Sequence, residues 1–306
     1  MKTYPFLCKL APNTVRVTHC SFPDKLPNER PWFTDVVLNL PENEKQGLEI
    51  TAELSDGLVK IKNNNGKCFF YEEETATLGI NKVRPYFYFD IPQTSFYAGF
   101  HKVTNGFRLI INHAQGESFF GWGEWFNAFE RKKGRINLDN RNALFGEQDK
   151  LTYSGLPFFI SSTGYGFLLL NSFRSQWTIN ETQMVIEADG PNADYIIIYG
   201  PEFKEIIRTY TALTGRCPLL PRWGFGLWAT SYPQEKQDNV QAFVRTHREK
   251  KIPLDAIILD YHWEEKFHNF KWRQKLIPDP QKLIRNLKIE GIRLGLILPS
   301  FLNTHN

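Results

Sequence analysis

Near residue 200 the sequence changes rhythm, and that change limits the folds open to it. Before it, short β-branched or alternating runs recur at Thr14–Thr18, Leu48–Leu54, Leu58–Ile61, Phe107–Ile111, Gly166–Leu170 and Tyr195–Tyr199. Turn signals stand between them at Ser55-Asp56-Gly57, Asn63–Gly66, Asn105-Gly106 and Asp189-Gly190. Period-two runs bury one face each and need a second sheet to close on, so this half predicts a β-sandwich.

A helix then bridges to the second half. Pro201 lies in its first turn, Phe203, Ile206, Ile207 and Tyr210 share a face, and Gly215 stops it. A proline-bounded linker follows, Pro218-Leu219-Leu220-Pro221. From Trp223 the rhythm becomes β-α-β-α-β. Phe225–Thr230 reads as a strand, and Asp238–Lys250 as a helix with Val240, Phe243, Val244 and His247 on one face. Leu254–Asp260 is an apolar run of the kind found in strands buried on both sides. Asp279 caps a helix with Pro280 at its first position, Leu283, Ile284 and Leu287 inside, and Gly291 past its end. Leu294–Leu298 is the third strand. Strands alternating with helices predict parallel βα units. The expected domains are residues 1–217, a sandwich, and residues 218–306, a parallel βα region. Three strands fall short of the roughly five of a doubly wound sheet and the roughly eight of a closed barrel. The expectation is therefore the front part of a longer protein.

Composition excludes several functions. The net charge is only +4, and the most basic run, Arg131–Arg135, spans one short loop. Neither a basic face nor a nucleic-acid-reading motif is present, so no nucleic-acid partner is expected. Cys8, Cys20, Cys68 and Cys217 are scattered, which signals neither a zinc site nor a disulfide framework. No run approaches about 18 apolar residues, so no membrane span is expected. Pro5 and Lys9 break the apolar run at the N-terminus, and the default location is cytoplasmic. Aromatic residues make up 15%, which suits rings packed on pleated sheets and also suits stacking on the apolar face of a sugar.

Five blocks carry a resemblance. They are Phe119-Phe120-Gly121-Trp122-Gly123-Glu124, Leu156–Ser161 with Gly164-Tyr165-Gly166, Thr214-Gly215-Arg216 with Pro221–Trp228, Ile252–Asp260, and Ile277-Pro278-Asp279-Pro280. In this order they resemble the signatures of glycoside hydrolase family 31 over roughly residues 100–300. The resemblance implies a galactose-mutarotase-like β-sandwich followed by the first three βα units of an incomplete (β/α)8 TIM barrel. It also implies retaining hydrolysis of α-glucosides or α-xylosides, which needs two carboxyls about 5–5.5 Å apart. In the family these come from the fourth and sixth barrel strands, so the catalytic pair is expected beyond residue 306. No cofactor is implied.

Asp260 ends the second barrel strand, where barrel sites collect. The resemblance implies that it bonds sugar hydroxyls; read alone, it could equally cap a loop. Tyr261 and His262 match positions that help sort glucosides from xylosides in the family, and carry neither of its common pairs; a packed loop histidine is the alternative for His262. Tyr232 matches an aromatic near the sugar, with packing under a loop as the alternative. Asn142 matches a position on a sandwich loop that reaches the sugar, with a plain turn as the alternative. Glu124 is implied to be structural. His262, Glu264, Glu265 and His268 invite a metal reading, but they lack the HExxH spacing and are expected to form a solvated loop. Two further functions compete with the enzyme reading. One is a non-catalytic carbohydrate-binding module. The other is one half of a split enzyme whose partner supplies the missing C-terminal barrel half.

Overall fold

The computed structural model describes residues 4–20, 49–55, 58–90, 95–140, 152–190, 193–230, 236–266 and 269–298. The chain divides into two compact units, Met1–Tyr86 with Gly99–Arg216, and Phe87–Ala98 with Cys217–Asn306.

The first unit contains β1 (Tyr4–Ala11), β2 (Thr14–Cys20), β3 (Ile50–Ser55), β4 (Leu58–Asn63), and most of β5 (Cys68–Asp90) and of β6 (Ser95–Asn112). It continues with β7 (Phe119–Gly123), β8 (Gly134–Leu138), β9 (Gly155–Ser161), β10 (Tyr165–Leu169), β11 (Ser175–Ile179), β12 (Gln183–Ala188) and β13 (Ala193–Tyr199). One sheet runs β1-β2-β13-β10-β9-β7 and the other β3-β4-β5-β6-β12-β11-β8. The expected sandwich is therefore present.

Its core is built on rings. Phe159 and Phe167 stack with parallel planes and centroids 5.4 Å apart, and Phe167 stacks on Tyr195 with centroids 4.8 Å apart. Trp177 meets both phenylalanines edge-on. Offset stacks and T-shaped contacts suit the ring quadrupoles, and all four side chains are fully buried. Among them lies a polar cluster. Glu72 accepts from the Tyr195 hydroxyl at 2.7 Å and from the Val59 amide at 3.1 Å, and it pairs with His19 at 2.6 Å. Burial, then the Glu72 carboxylate, pushes the Tyr195 phenol well above its ordinary range.

The glycine-rich block at β7 has a backbone explanation. At Gly123, φ is 90°, and an added Cβ would stand 1.8 Å from the Ser154 carbonyl oxygen. At Gly121 it would stand 2.5 Å from the Phe158 carbonyl oxygen. The strand thus lies against the β9 backbone with no space for side chains, while Trp122 between the glycines fills the core. Glu124 is exposed, and its amide donates to the Ser154 carbonyl.

α1 (Phe203–Thr214) closes the first unit. Its buried face is Ile206, Thr209, Ala212 and Leu213, whereas Phe203 and Ile207 face solvent. The expected stripe holds in part: Ile206 is buried and Tyr210 packs against the same cluster, while Phe203 and Ile207 are left more exposed. A correction concerns Asn105-Gly106, which lies inside β6 instead of turning. Phe107–Asn112 pairs with β12, and this long-range pairing overrides the local turn signal.

The second unit contains β14 (Trp228–Thr230), α2 (Gln237–Glu249), β15 (Ala256–Leu259), α3 (Pro280–Ile289) and β16 (Arg293–Leu296). The three strands form a parallel sheet in that order, as a barrel start requires. Two strands are shorter at their entry than the apolar runs suggested. Residues 222–225 form a 3-10 turn, and the Asp255 carboxylate accepts from the Leu227 amide at 3.1 Å while the Asp255 amide donates back to the Leu227 carbonyl. This clamp delays β14 and β15 alike. α3 is capped by Asp279, which accepts from the Lys282 amide at 2.9 Å. The Asp279 amide donates to the Gln237 side chain at 3.0 Å, which ties the starts of the two helices together.

Candidate functional site at the end of the second barrel strand

β15 is short, apolar and buried, so it carries Asp260 out of a packed layer on a stiff support. Asp260 is half-buried, and its Oδ1 accepts from the Tyr261 amide at 2.7 Å. It thereby caps a 3-10 turn over Tyr261–Trp263. That turn throws the Tyr261 and His262 rings together, with centroids 4.1 Å apart. A carboxylate offers about four acceptor positions, so capping one amide leaves capacity for hydroxyl donors. The cap and the hydroxyl acceptor are compatible roles for one side chain.

Two residues that the sequence did not single out as supports hold this turn. Trp263 is buried, and its indole donates to the Ile297 carbonyl at 3.0 Å, just past β16. Trp272 packs edge-on against it at 5.1 Å. Glu264 is fully buried and accepts from the Phe270 amide at 2.9 Å. The expectation of a solvated loop is corrected at Glu264. A buried carboxylate needs donors, and a folded-back backbone supplies one. Glu265 is exposed, as a solvated residue should be. Asp260, Tyr261 and His262 are thus brought together. Tyr232, Asn142 and His268 lie outside the described residues.

The comparisons with known proteins agree with this architecture. Residues 7–177 match the glycosyl hydrolase 31 N-terminal galactose mutarotase-like domain, and residues 217–306 match the glycosyl hydrolases family 31 TIM-barrel domain. The chain belongs to glycosyl hydrolase family 31. It is 32% identical over 218 residues to the alpha-xylosidase XylQ of Lactiplantibacillus pentosus, matching 69% of this chain and 28% of that protein. It is 29% identical over 188 residues to alpha-glucosidase 2 of Bacillus thermoamyloliquefaciens, matching 59% of this chain and 24% of that protein. The chain therefore spans about a quarter of the length of these curated relatives. Among solved structures, a family 31 alpha-xylosidase from a soil metagenome, complexed with xylose, superposes with a TM-score of 0.77 at 19% identity. That match covers 100% of this chain and 46% of the other. A Flavobacterium johnsoniae dextranase complexed with isomaltotriose superposes with a TM-score of 0.75 at 21% identity, covering 96% and 36%. At these identities the superpositions establish the fold.

Two aspartates flank β15, one at each end. Asp255 clamps the entry through Leu227, and Asp260 stands at the exit, where barrel sites gather. Among the described residues no helix is long and apolar enough to cross a membrane.

Proposed function

We propose that this chain is the sugar-recognising front of a retaining α-glycosidase that hydrolyses O-glycosyl bonds of α-glucosides or α-xylosides. The observation that carries the reading is Asp260 at the carboxyl end of β15, fixed by its own cap and by the buried Trp263 and Glu264. Asp260 accepts hydroxyl hydrogens of the bound sugar. A site built to bond a hydroxyl rejects analogues that lack it, because its own polar atoms are then left unpartnered. The Tyr261 and His262 rings flank the sugar beyond its ring carbons and discriminate glucosides from xylosides. Tyr232 and Asn142 complete the contacts. The domains are the sandwich over residues 1–217 and the barrel start over residues 218–306. The nucleophile and the acid/base, about 5–5.5 Å apart, belong to sequence beyond residue 306. Support comes from the names of the relatives and from the small share of their length that this chain spans.

The test extends the chain to the length of its relatives and measures turnover of aryl α-glucosides and α-xylosides. The 306-residue chain alone should turn over neither. Asp260→Ala in the extended protein should lower kcat/KM by about 10³-fold or more. No turnover by the extended chain on any α-glycoside would sink the enzyme reading. Undiminished turnover in the variant would remove Asp260 from the site.

A further inference from the structure

The sandwich contains a cavity of about 540 Å³ between the end of β8, the start of β9, the β10–β11 loop and α1. This volume lies within the roughly 300–1,000 Å³ of small-molecule sites. Its lining combines two chemistries. Leu156 and Pro157 of β9, Leu168 of β10 and Tyr210 of α1 contribute apolar side chains. Tyr210 is fixed there by stacking on Phe158 with centroids 4.1 Å apart. Asp139, Asn140, Asn171 and Arg174 contribute polar and charged ones. Asp139 and Arg174 pair at 3.0 Å. Asn140 clasps Gly155, accepting from its amide at 2.8 Å and donating to its carbonyl at 3.4 Å.

At the mouth, Phe173 is an aromatic ring left 46% exposed on a fixed loop. Its amide donates to the Asn171 side chain at 2.6 Å, and Asn171 donates in turn to the Asp189 carbonyl at 2.9 Å. The ring lies over Gly190, where an added Cβ would stand 2.7 Å from Phe173 Cδ2. Only a residue without a side chain leaves that place for the ring. A half-exposed ring would ordinarily be free to move; this one is held.

We propose that this cavity binds one pyranose unit of an α-linked oligosaccharide. The ligand class follows from this mixed lining. A wholly apolar ligand would strip water from the ion pair and the amides without replacing its hydrogen bonds. An anion would face Asp139, and a cation would face Arg174. A neutral polyol suits both, since each hydroxyl donates to a carboxylate and accepts from a guanidinium or an amide. The C–H face of the same ring lies on Phe173 and the apolar side chains. This site goes beyond the glycosidase reading, because its lining includes none of Asp260, Tyr261, His262, Tyr232 and Asn142.

Calorimetric titration of the 306-residue chain with maltotriose and with isomaltotriose tests the proposal. One of the two should bind saturably, in the millimolar range expected of a single-ring site. The binding should persist in Asp260→Ala. It should weaken by about tenfold in Phe173→Ala. Ser172→Trp, at an exposed position on the cavity wall, should abolish it by filling the mouth, and circular dichroism should show both variants folded. No saturable binding of either sugar overturns the proposal. So does unchanged affinity in Ser172→Trp, or loss in Asp260→Ala alone. Binding that depends on the mouth, in a protein whose extended form hydrolyses nothing, would keep this site while removing the glycosidase reading.

Discussion

In the sandwich, Phe159, Phe167, Trp177 and Tyr195 are enclosed between two sheets, and none reaches solvent. In the barrel start, Phe225 is 69% exposed, and Leu227, Trp228 and Leu298 are each about half exposed. Both regions are rich in large apolar side chains. They differ in what surrounds them. A two-sheet layer is closed once its second sheet is in place, whereas the outer strands β14 and β16 have a partner on one side only among the described residues. Burial in the sandwich comes from rings meeting rings. In the barrel start it comes from helix stripes such as Val240, Val244, Leu283 and Leu287 covering a narrow sheet. The comparison teaches that the sandwich encloses its rings between two sheets, while the barrel start rests on aliphatic helix stripes with clamps and caps at the element ends.

The largest expected effect breaks the comparison most directly. Trp177→Ala should destabilise the sandwich by about 3–5 kcal/mol, the range for deleting a buried aromatic side chain. Hydrogen exchange should then accelerate at the Ile196 and Ile197 amides and not at the Ile257 amide. Equal acceleration at all three would show that the two regions unfold as one, and the comparison would fail. Glu72→Ala comes next, at about 3 kcal/mol, because it leaves the Tyr195 hydroxyl, His19 and the Val59 amide without the carboxylate they share. Urea denaturation followed by near-ultraviolet dichroism would measure it.

Alkaline pH supplies a third effect confined to the sandwich. The folded protein holds the Tyr195 phenol proton more tightly than the unfolded chain does, because its range is raised by burial and by Glu72. That contribution is fully present below the ordinary phenol range near about 10 and is lost as pH rises past it. Stability should fall above about pH 10 by roughly 1.4 kcal/mol per pH unit for this group. The buried Tyr165 phenol is raised too, so Tyr195→Phe should make that limb shallower by this group's share, and an unchanged slope would show that Tyr195 contributes nothing to it. The smallest effect sharpens the barrel side. Asp279→Ala removes the α3 cap and should cost about 1 kcal/mol, read as faster exchange at the Lys282 and Leu283 amides.

The sandwich was legible because period-two runs such as Tyr195–Tyr199 report sheet burial locally. Asn105-Gly106 was misread because turn signals are local, while β6 is held by β12 far along the chain. The α1 stripe was legible only in part for a related reason. Ile206 and Tyr210 meet the sheet side while Phe203 and Ile207 do not, and only the sheet decides which part of an apolar stripe is received. In the site, Asp260 was legible as the polar end of an apolar strand. Its supports were not. Trp263 bonds a carbonyl 34 residues away, and Glu264 bonds an amide 6 residues away. Main-chain partners leave no mark in the side-chain sequence.

The clamp at Asp255 and the cap at Asp260 fix the two ends of a four-residue strand. Successive side chains in a strand alternate between faces, so the count between these anchors sets the direction of everything after it. One residue inserted into Ala256–Leu259 would leave both aspartates in the sequence and the apolar run intact. It would also turn the second carboxylate to the opposite side of the sheet. The strand therefore acts as a ruler whose parity matters more than its length, and two inserted residues should be tolerated better than one.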